Sequence, residues 1–184
     1  DTVGWIRFYP EPSIINYPIV QTTDNEKYLH KTFSENDNTL GTIFLNADNN
    51  ANFNDRNSII YGHRMKDGSM FRKLDEYKDK SFWEANPYFY IYTPKRKLTY
   101  QVISAFKYDN RHILNSFDFN KEASIKEWQD TITNPTSSLK NARKNLDVPL
   151  SINSKIVVLS TCITNQRNNR YLVCGELVLS LIHI

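Results

Sequence analysis

Residues 155–179, KIVVLSTCITNQRNNRYLVCGELVL, hold two apolar, β-branched runs separated by a polar stretch. Lys155 to Thr161 and Arg170 to Leu179 have the length and the Val, Ile and Leu content of strands. The polar loop Ile163 to Asn169 between them reads as the connection of an antiparallel hairpin that closes the chain. Similar short runs recur upstream. Gly4 to Tyr9 is a first strand, stopped by Pro10 and Pro12, and Ser13 to Gln21 is a second, with Pro18 marking an edge or a bulge. Thr42 to Asn46 and Ser58 to Tyr61 follow. Tyr88 to Tyr92 and Leu98 to Tyr108 then flank Thr93-Pro94-Lys95-Arg96-Lys97 as a hairpin.

Four segments depart from this pattern. In Ser69 to Trp83, residues Met70, Phe71, Leu74 and Tyr77 fall on one helical face, with Ser69 as N-cap. Ala123 to Ile132 has helical spacing that Asn134-Pro135 ends. Lys27 to Phe33 reads as a short helical turn after Asp24 and Asn25, and Ser138 to Leu146 as a further helical piece. Strands without regular alternation with helices point to a mainly antiparallel barrel or sandwich carrying added helices.

The 184 residues suffice for one domain with a continuous core. A net charge of +3, with basic residues dispersed among acids, carries no motif of a nucleic-acid reader. Two cysteines form neither a disulfide framework nor a Cys-rich zinc site, and the thiol chemistry considered below needs no metal or organic cofactor. The opening Asp1-Thr2-Val3-Gly4-Trp5 reads as the start of an excised domain whose upstream membrane anchor is absent. Leu181-Ile182-His183-Ile184 reads as an irregular end.

The chemistry centres on Cys162, where the apolar run Ile156 to Leu159 gives way to Ser160-Thr161-Cys162. A strand end beside a polar loop holds a reactive group rigidly yet within reach of substrate. A lone thiol is more often a small buried hydrophobe, and as a nucleophile it needs a base or cation nearby. His63 follows the strand Ser58 to Tyr61 through Gly62, at another strand-to-loop junction. Arg170 opens the last strand, where it can lie opposite Cys162 and donate to a developing oxyanion. Cys174, between Val173 and Gly175, reads as a buried strand residue.

Tyr61-Gly62-His63, Leu159-Ser160-Thr161-Cys162 and Arg170-Tyr171 together resemble the three signature segments of the sortases, cysteine transpeptidases of Gram-positive cell surfaces. Gly4-Trp5-Ile6, Asn16 to Gln21, Gly41-Thr42-Ile43-Phe44 and Asp67 to Phe71 are similar in context and order. A long insertion of helical character, about residues 116–154, resembles class B more than class A. The resemblance implies a single catalytic domain over residues 1–184, an eight-stranded sortase β-barrel with added helices. It also implies a monomer at the extracytoplasmic face of a Gram-positive cell membrane.

By the same resemblance, Cys162 attacks the carbonyl after Thr in an Asn-Pro-x-Thr-x sorting signal of a surface protein and forms a thioacyl enzyme. His63 protonates the departing amine, and Arg170 orients the substrate and stabilises the oxyanion. The acceptor would be an amine of a peptidoglycan cross-bridge or of a lipid-linked precursor. Ser160, Tyr61, Asn25 and Leu29 match positions that contact the peptide. Ile163-Thr164 stand where some class B members place an acid, so no carboxylate joins the set, and Arg64 adds a positive charge beside His63. A pilin-polymerising sortase and a peptide-binding barrel without activity are the alternatives. A papain-like hydrolase fits poorly, since the C-G-x-C-W context is absent and Cys162 comes late in the chain.

Overall fold

The computed structural model describes residues 1–8, 15–32, 34, 36, 38 and 41–183. Eight strands close a barrel: β1 (Thr2–Phe8), β2 (Asn16–Val20), β3 (Phe44–Leu45), β4 (Asn57–Tyr61), β5 (Tyr88–Tyr92), β6 (Arg96–Asp109), β8 (Ile156–Ile163) and β9 (Gln166–Ile182). Their order is β5-β1-β2-β3-β4-β8-β9-β6, and β6 pairs back onto β5. A ninth short strand, β7 (Lys140–Ala142), pairs with the second half of β6. Closure leaves the eight without an open sheet edge over most of their length. Strand contacts are antiparallel except β2 with β3 and β4 with β8. The mainly antiparallel barrel expected from the sequence is therefore what forms.

The run Ile156 to Leu159 is continuously apolar because both faces of β8 are buried. Val157 and Leu159 point into the barrel with Ile60, Phe89, Tyr100 and Val173. Ile156 and Val158 point outward against Trp128 and Ile132 of helix α3 (Glu122–Thr133). Burying a side chain of this size contributes roughly 1.5–3 kcal/mol. The Trp128 indole N–H donates to Asn57 Oδ1 at 3.0 Å, tying α3 to the start of β4.

Several sequence expectations require correction. Ser69 to Trp83 is not one α-helix capped by Ser69. Phe71–Lys78 is a 3₁₀ helix, and a separate helix, α1 (Lys80–Ala85), is capped by Asp79, which accepts from the backbone N–H groups of Ser81 and Phe82. Phe71, Leu74 and Tyr77, spaced by three, are all buried, which suits three residues per turn. The Ser69 hydroxyl donates to Asp67 instead.

Ser138 to Leu146 is not helical, because it supplies β7, and Arg143 N–H then continues the ladder to Ile103 O. Helix α2 (Ile113–Ser116) ends where the insertion begins, and within the insertion only α3 is α-helical. The expected loop Ile163 to Asn169 is a tight hairpin, since Ile163 pairs with Gln166 across the turn Thr164–Asn165. Asn165 takes φ +60°, which asparagine tolerates. The end Leu181-Ile182 is strand, Ile182 pairing with Arg96, and the helical turn near residue 27 is a 3₁₀ turn at Lys27–Leu29. Tyr9, Pro10, Pro12, Ser13, Ile14, Phe33 and Ile184, parts of earlier expectations, lie outside the described residues. No helix among the described residues is long and apolar enough to cross a membrane.

Glu176 on β9 is buried, with one carboxyl oxygen accepting from Ser154 and the other unpaired. Burial pushes its pKa up to about 7 from 4.5, and Asp147 adds to the rise. The folded state therefore binds this proton more tightly than the unfolded chain, and stability falls as pH climbs from 4.5 to about 7. Glu176→Gln should melt higher than the parent above about pH 8, by a gain on the order of 2 kcal/mol that closes below about pH 4.5. Thermal melts across pH measure this, and a constant difference at all pH values would contradict it.

Candidate active site

Strands β4 and β8 run side by side in parallel, Tyr61 opposite Ser160. Two residues beyond each pair member stand His63 and Cys162, so one register brings both to the same end of the barrel. Gly62 N–H donates to Ser160 O at 3.2 Å and extends the pairing past the strand end. On the other side of β8, Cys162 is the cross-strand partner of Arg170 on β9. Tyr61, Gly62, His63, Ser160, Thr161, Cys162 and Arg170 all line one cleft of about 310 Å³. Asn25 and Leu29 line it as well, so each site residue expected from sequence faces the same space.

Cys162 is exposed and free at the mouth of the hairpin. Cys174 is also free, but fully buried opposite Val158, and burial pushes its thiol pKa far up despite a hydrogen bond with Ser104. The two thiols therefore differ sharply in access to substrate.

His63 is half-buried, and its Nε2 hydrogen-bonds the Leu29 carbonyl. A carbonyl only accepts, so Nε2 carries the hydrogen and Nδ1 is left for proton exchange. The imidazole also stacks on His30, with ring centroids 6.0 Å apart. Gly41 makes this fit. A Cβ there would lie 2.5 Å from Leu29 O and 2.8 Å from His63 Cδ2, and its φ of +62° favours glycine.

Arg64 is not a loose charge beside the imidazole. Its guanidinium donates to Asp75 and to Thr164 Oγ1, so it ties the histidine segment to the β8–β9 turn. Lys78 shares Asp75 at 3.0 Å. Arg170 donates through Nη1 to the carbonyls of Arg167 and Asn169 at 3.0 and 2.9 Å. Those bonds curl the guanidinium onto its own hairpin at the rim of the cleft.

The remaining wall is partly apolar. Tyr61 packs on Phe44 at 5.1 Å between centroids, and its hydroxyl accepts from Asn46 Nδ2 at 2.9 Å. Burial raises the Tyr61 pKa, so the phenol stays protonated. Asn25 uses its side-chain oxygen to accept from Ala47 N–H at 2.7 Å, leaving its amide nitrogen for other contacts. The far wall, Asp109 to Ile113, carries no motif and was not expected from the sequence. Arg111 grips the Asp109 carboxylate through Nε and Nη2 and holds its pKa below the usual range. Asp109 is thus committed to Arg111, and the only clue in sequence was its position at the end of a long strand.

An accessible thiol, an imidazole with one nitrogen fixed, and a guanidinium across the hairpin form a set suited to acyl transfer through a thioester. A β-barrel presenting such a set is the design of a cysteine acyltransferase. The sortase domain model matches residues 10–178. This chain belongs to the sortase family of cysteine transpeptidases. It is 31% identical to sortase B of Listeria monocytogenes over 180 residues, spanning 97% of this chain and 70% of that protein. Identity to sortase B of Staphylococcus aureus is 29% over 162 residues, spanning 88% of this chain and 63% of the relative. Among solved structures, a Staphylococcus aureus sortase B–substrate complex superposes with a TM-score of 0.82 at 27% identity, covering 97% of this chain and 80% of that one. Clostridium perfringens sortase B superposes at 0.80 with 27% identity, covering 97% and 94%. The chain is thus of the class B type, and its closed eight-stranded barrel matches theirs.

Replacing Gly41 by alanine should push His63 off the Leu29 carbonyl. We expect turnover to fall by about tenfold or more while the melting temperature drops only a few degrees, since small misplacements of a proton-transfer group are costly. Steady-state kinetics beside thermal melts test this, and unchanged turnover would contradict the fit.

Proposed function

We propose that this protein cleaves a C-terminal sorting signal of the Asn-Pro-x-Thr-x type after Thr and transfers the surface protein to an amine of cell-wall peptidoglycan. The observation that supports it most is the placing of Cys162, His63 and Arg170 around one cleft by two strand registers. The cleft mixes apolar walls with a few polar groups, as a bound peptide requires.

In this reading the Cys162 thiolate adds to the Thr carbonyl carbon, and Arg170 donates to the oxygen as charge develops on it. Collapse breaks the carbon–nitrogen bond, and the departing amine takes a proton from His63 Nδ1. The acyl group now rests on sulfur as a thioester. An incoming amine attacks the same carbon, passes its proton to Nδ1, and the carbon–sulfur bond breaks to restore the thiolate. Throughout, Nε2–H stays on the Leu29 carbonyl, so the ring keeps its orientation in both charge states. Arg170 must turn from the Arg167 and Asn169 carbonyls toward the substrate, or donate with its remaining N–H groups.

Tyr61, Ser160, Asn25 and Leu29 are the proposed peptide contacts. Ser160 is buried beneath the cleft, whereas Asn25 and Leu29 are half-buried along its side. A sortase B–substrate complex of Staphylococcus aureus shares this fold, which favours a substrate in the corresponding cleft here. The acceptor is taken to be a peptidoglycan cross-bridge amine or a lipid-linked precursor, and the place of action the extracytoplasmic face of a Gram-positive membrane.

Fluorogenic Asn-Pro-x-Thr-x peptides, supplied with and without an amine acceptor, test the reading. The parent should cleave after Thr and form the amide product when an amine is present, and Cys162→Ala should lose at least about a thousandfold in rate. No cleavage across a peptide library, or equal cleavage by Cys162→Ala, would contradict it. Cleavage with no transfer to any amine would make the protein a hydrolase.

A further inference from the structure

A second hollow, of about 670 Å³, lies beside the cleft. The two adjoin at two points of the chain. Asn25, which lines the cleft, accepts from Ala47 N–H, and the next residue, Asp48, lines the hollow. Likewise Ile113 lines the cleft and its neighbour Leu114 the hollow. Asn57 forms the floor. It is the first residue of β4, so the strand that carries Tyr61 to the cleft also reaches the hollow.

Asn57 is only 1% exposed, yet its side chain is half satisfied. Oδ1 accepts from the Trp128 indole, whereas Nδ2 donates to no group among the described residues. Trp128 does not line the hollow, so the nitrogen is the end of the carboxamide turned toward it. A buried donor without a partner is costly, and an acceptor on a ligand satisfies it. The loop above is built firmly. Asn49, itself buried, donates to Asp55 and to Asn57 O and accepts from Ile59 N–H. At the rim, the exposed side chains of Asp48, Asn115 and Asn153 make no hydrogen bond among the described residues. Leu114 and the Phe117 ring supply apolar wall.

Charges of both signs line the hollow. Arg56 and Lys155 stand beside Asp48, Asp55 and Asp118, which favours neither a bare cation nor an anion. Among the described residues no three carboxylate, histidine or cysteine side chains gather to hold a metal. The lining offers hydrogen-bond donors and acceptors together, on short side chains, and these suit a neutral ligand rich in hydroxyl groups. At the floor, a lone donor beside Leu114 and Phe117 matches an acetamido group, whose carbonyl accepts and whose methyl is apolar.

We propose that this hollow binds an acetamido sugar, holding the glycan of the acceptor while a peptide branch carries the amine to Cys162. The role in the acceptor rests on the reading of the acceptor as a cell-wall amine, whereas the binding of the sugar does not. The span is suitable. From Asn57 to His63 the chain runs about 20 Å, at roughly 3.3 Å per residue. An extended branch of about six residues covers that distance. Tethering at the hollow raises the local concentration of the amine at the thioester.

Soluble N,N′-diacetylchitobiose is the probe. Cellobiose, with the same linkage but no acetamido group, is the control. In proton–nitrogen correlation spectra the probe should shift the side-chain amides of Asn57 and Asn115 saturably, and cellobiose should bind at least about tenfold more weakly. Asn57→Asp keeps an acceptor for Trp128 but removes the donor, and the exposed pair Asn115→Ala with Asn153→Ala strips the rim. Each should weaken binding by about tenfold or more. Thermal melts check the fold of both, and the exposed pair should keep the parent's rate on soluble sorting peptide. An acceptor peptide joined to the disaccharide should show a KM at least about tenfold below that of the same peptide alone, with kcat unchanged. No saturable binding by the parent, equal binding of cellobiose, or undiminished binding by both variants would overturn the proposal, whether or not sorting peptides are cleaved. Equal KM for the two acceptors would overturn the role in acceptor binding.

Discussion

The parallel pairing of β4 with β8 is the constraint on which the rest of this site depends. Asn57 to Tyr61 and Ile156 to Ser160 match residue for residue, so the chain leaves both strands at one level. His63 and Cys162 each stand two residues past that level. A slip by one residue would turn alternate side chains to the opposite face of the sheet, and the register is therefore enforced by the core itself. Val157 and Leu159 fill the barrel while Ile156 and Val158 fill the seam with α3. Any slip would drive these side chains into the wrong cavities.

Around that frame, local interactions set orientation. The Leu29 carbonyl fixes one nitrogen of His63, and Gly41 leaves room for the bond. Arg64 links the histidine segment to Thr164 in the cysteine hairpin, with Asp75 balancing its charge. The carboxylate lining the cleft, Asp109, is held by Arg111. The sequence position after Cys162 supplies no acid, and the structure offers a backbone carbonyl as the partner that orients the imidazole. A neutral acceptor fixes the tautomer without adding a charge that would bias the imidazole toward its protonated form.

The strands were legible in the sequence because their apolar runs are long and punctuated by turn residues. Burial on both faces explains why β8 reads as an unbroken run rather than an alternation. The misreadings have physical causes. A spacing of three in Phe71, Leu74 and Tyr77 fits a 3₁₀ helix, yet over so few residues it also passes for an α-helical face. Ser138 to Leu146 becomes strand through β6, a partner distant in sequence, and local propensity cannot report it. Cys162, His63 and Arg170 were recognised from motif order and resemblance, whereas their convergence follows from long-range register. The wall Asp109 to Ile113 carried no motif, and only closure of the barrel brings it to the cleft.

The account's central claim is that the exposed thiol beside His63, and not the buried one, takes the acyl group. Trypsin separates the two cysteines, since Ile156 to Arg167 contains Cys162 and Tyr171 to Ile184 contains Cys174. Quenching the protein with acid during turnover of an Asn-Pro-x-Thr-x peptide, followed by mass spectrometry of the digest, locates the thioester directly. The account predicts an acyl adduct ending in Thr on the Cys162 fragment, removed by an added amine. An adduct on the Cys174 fragment, or turnover that proceeds with no adduct on either cysteine, would contradict it.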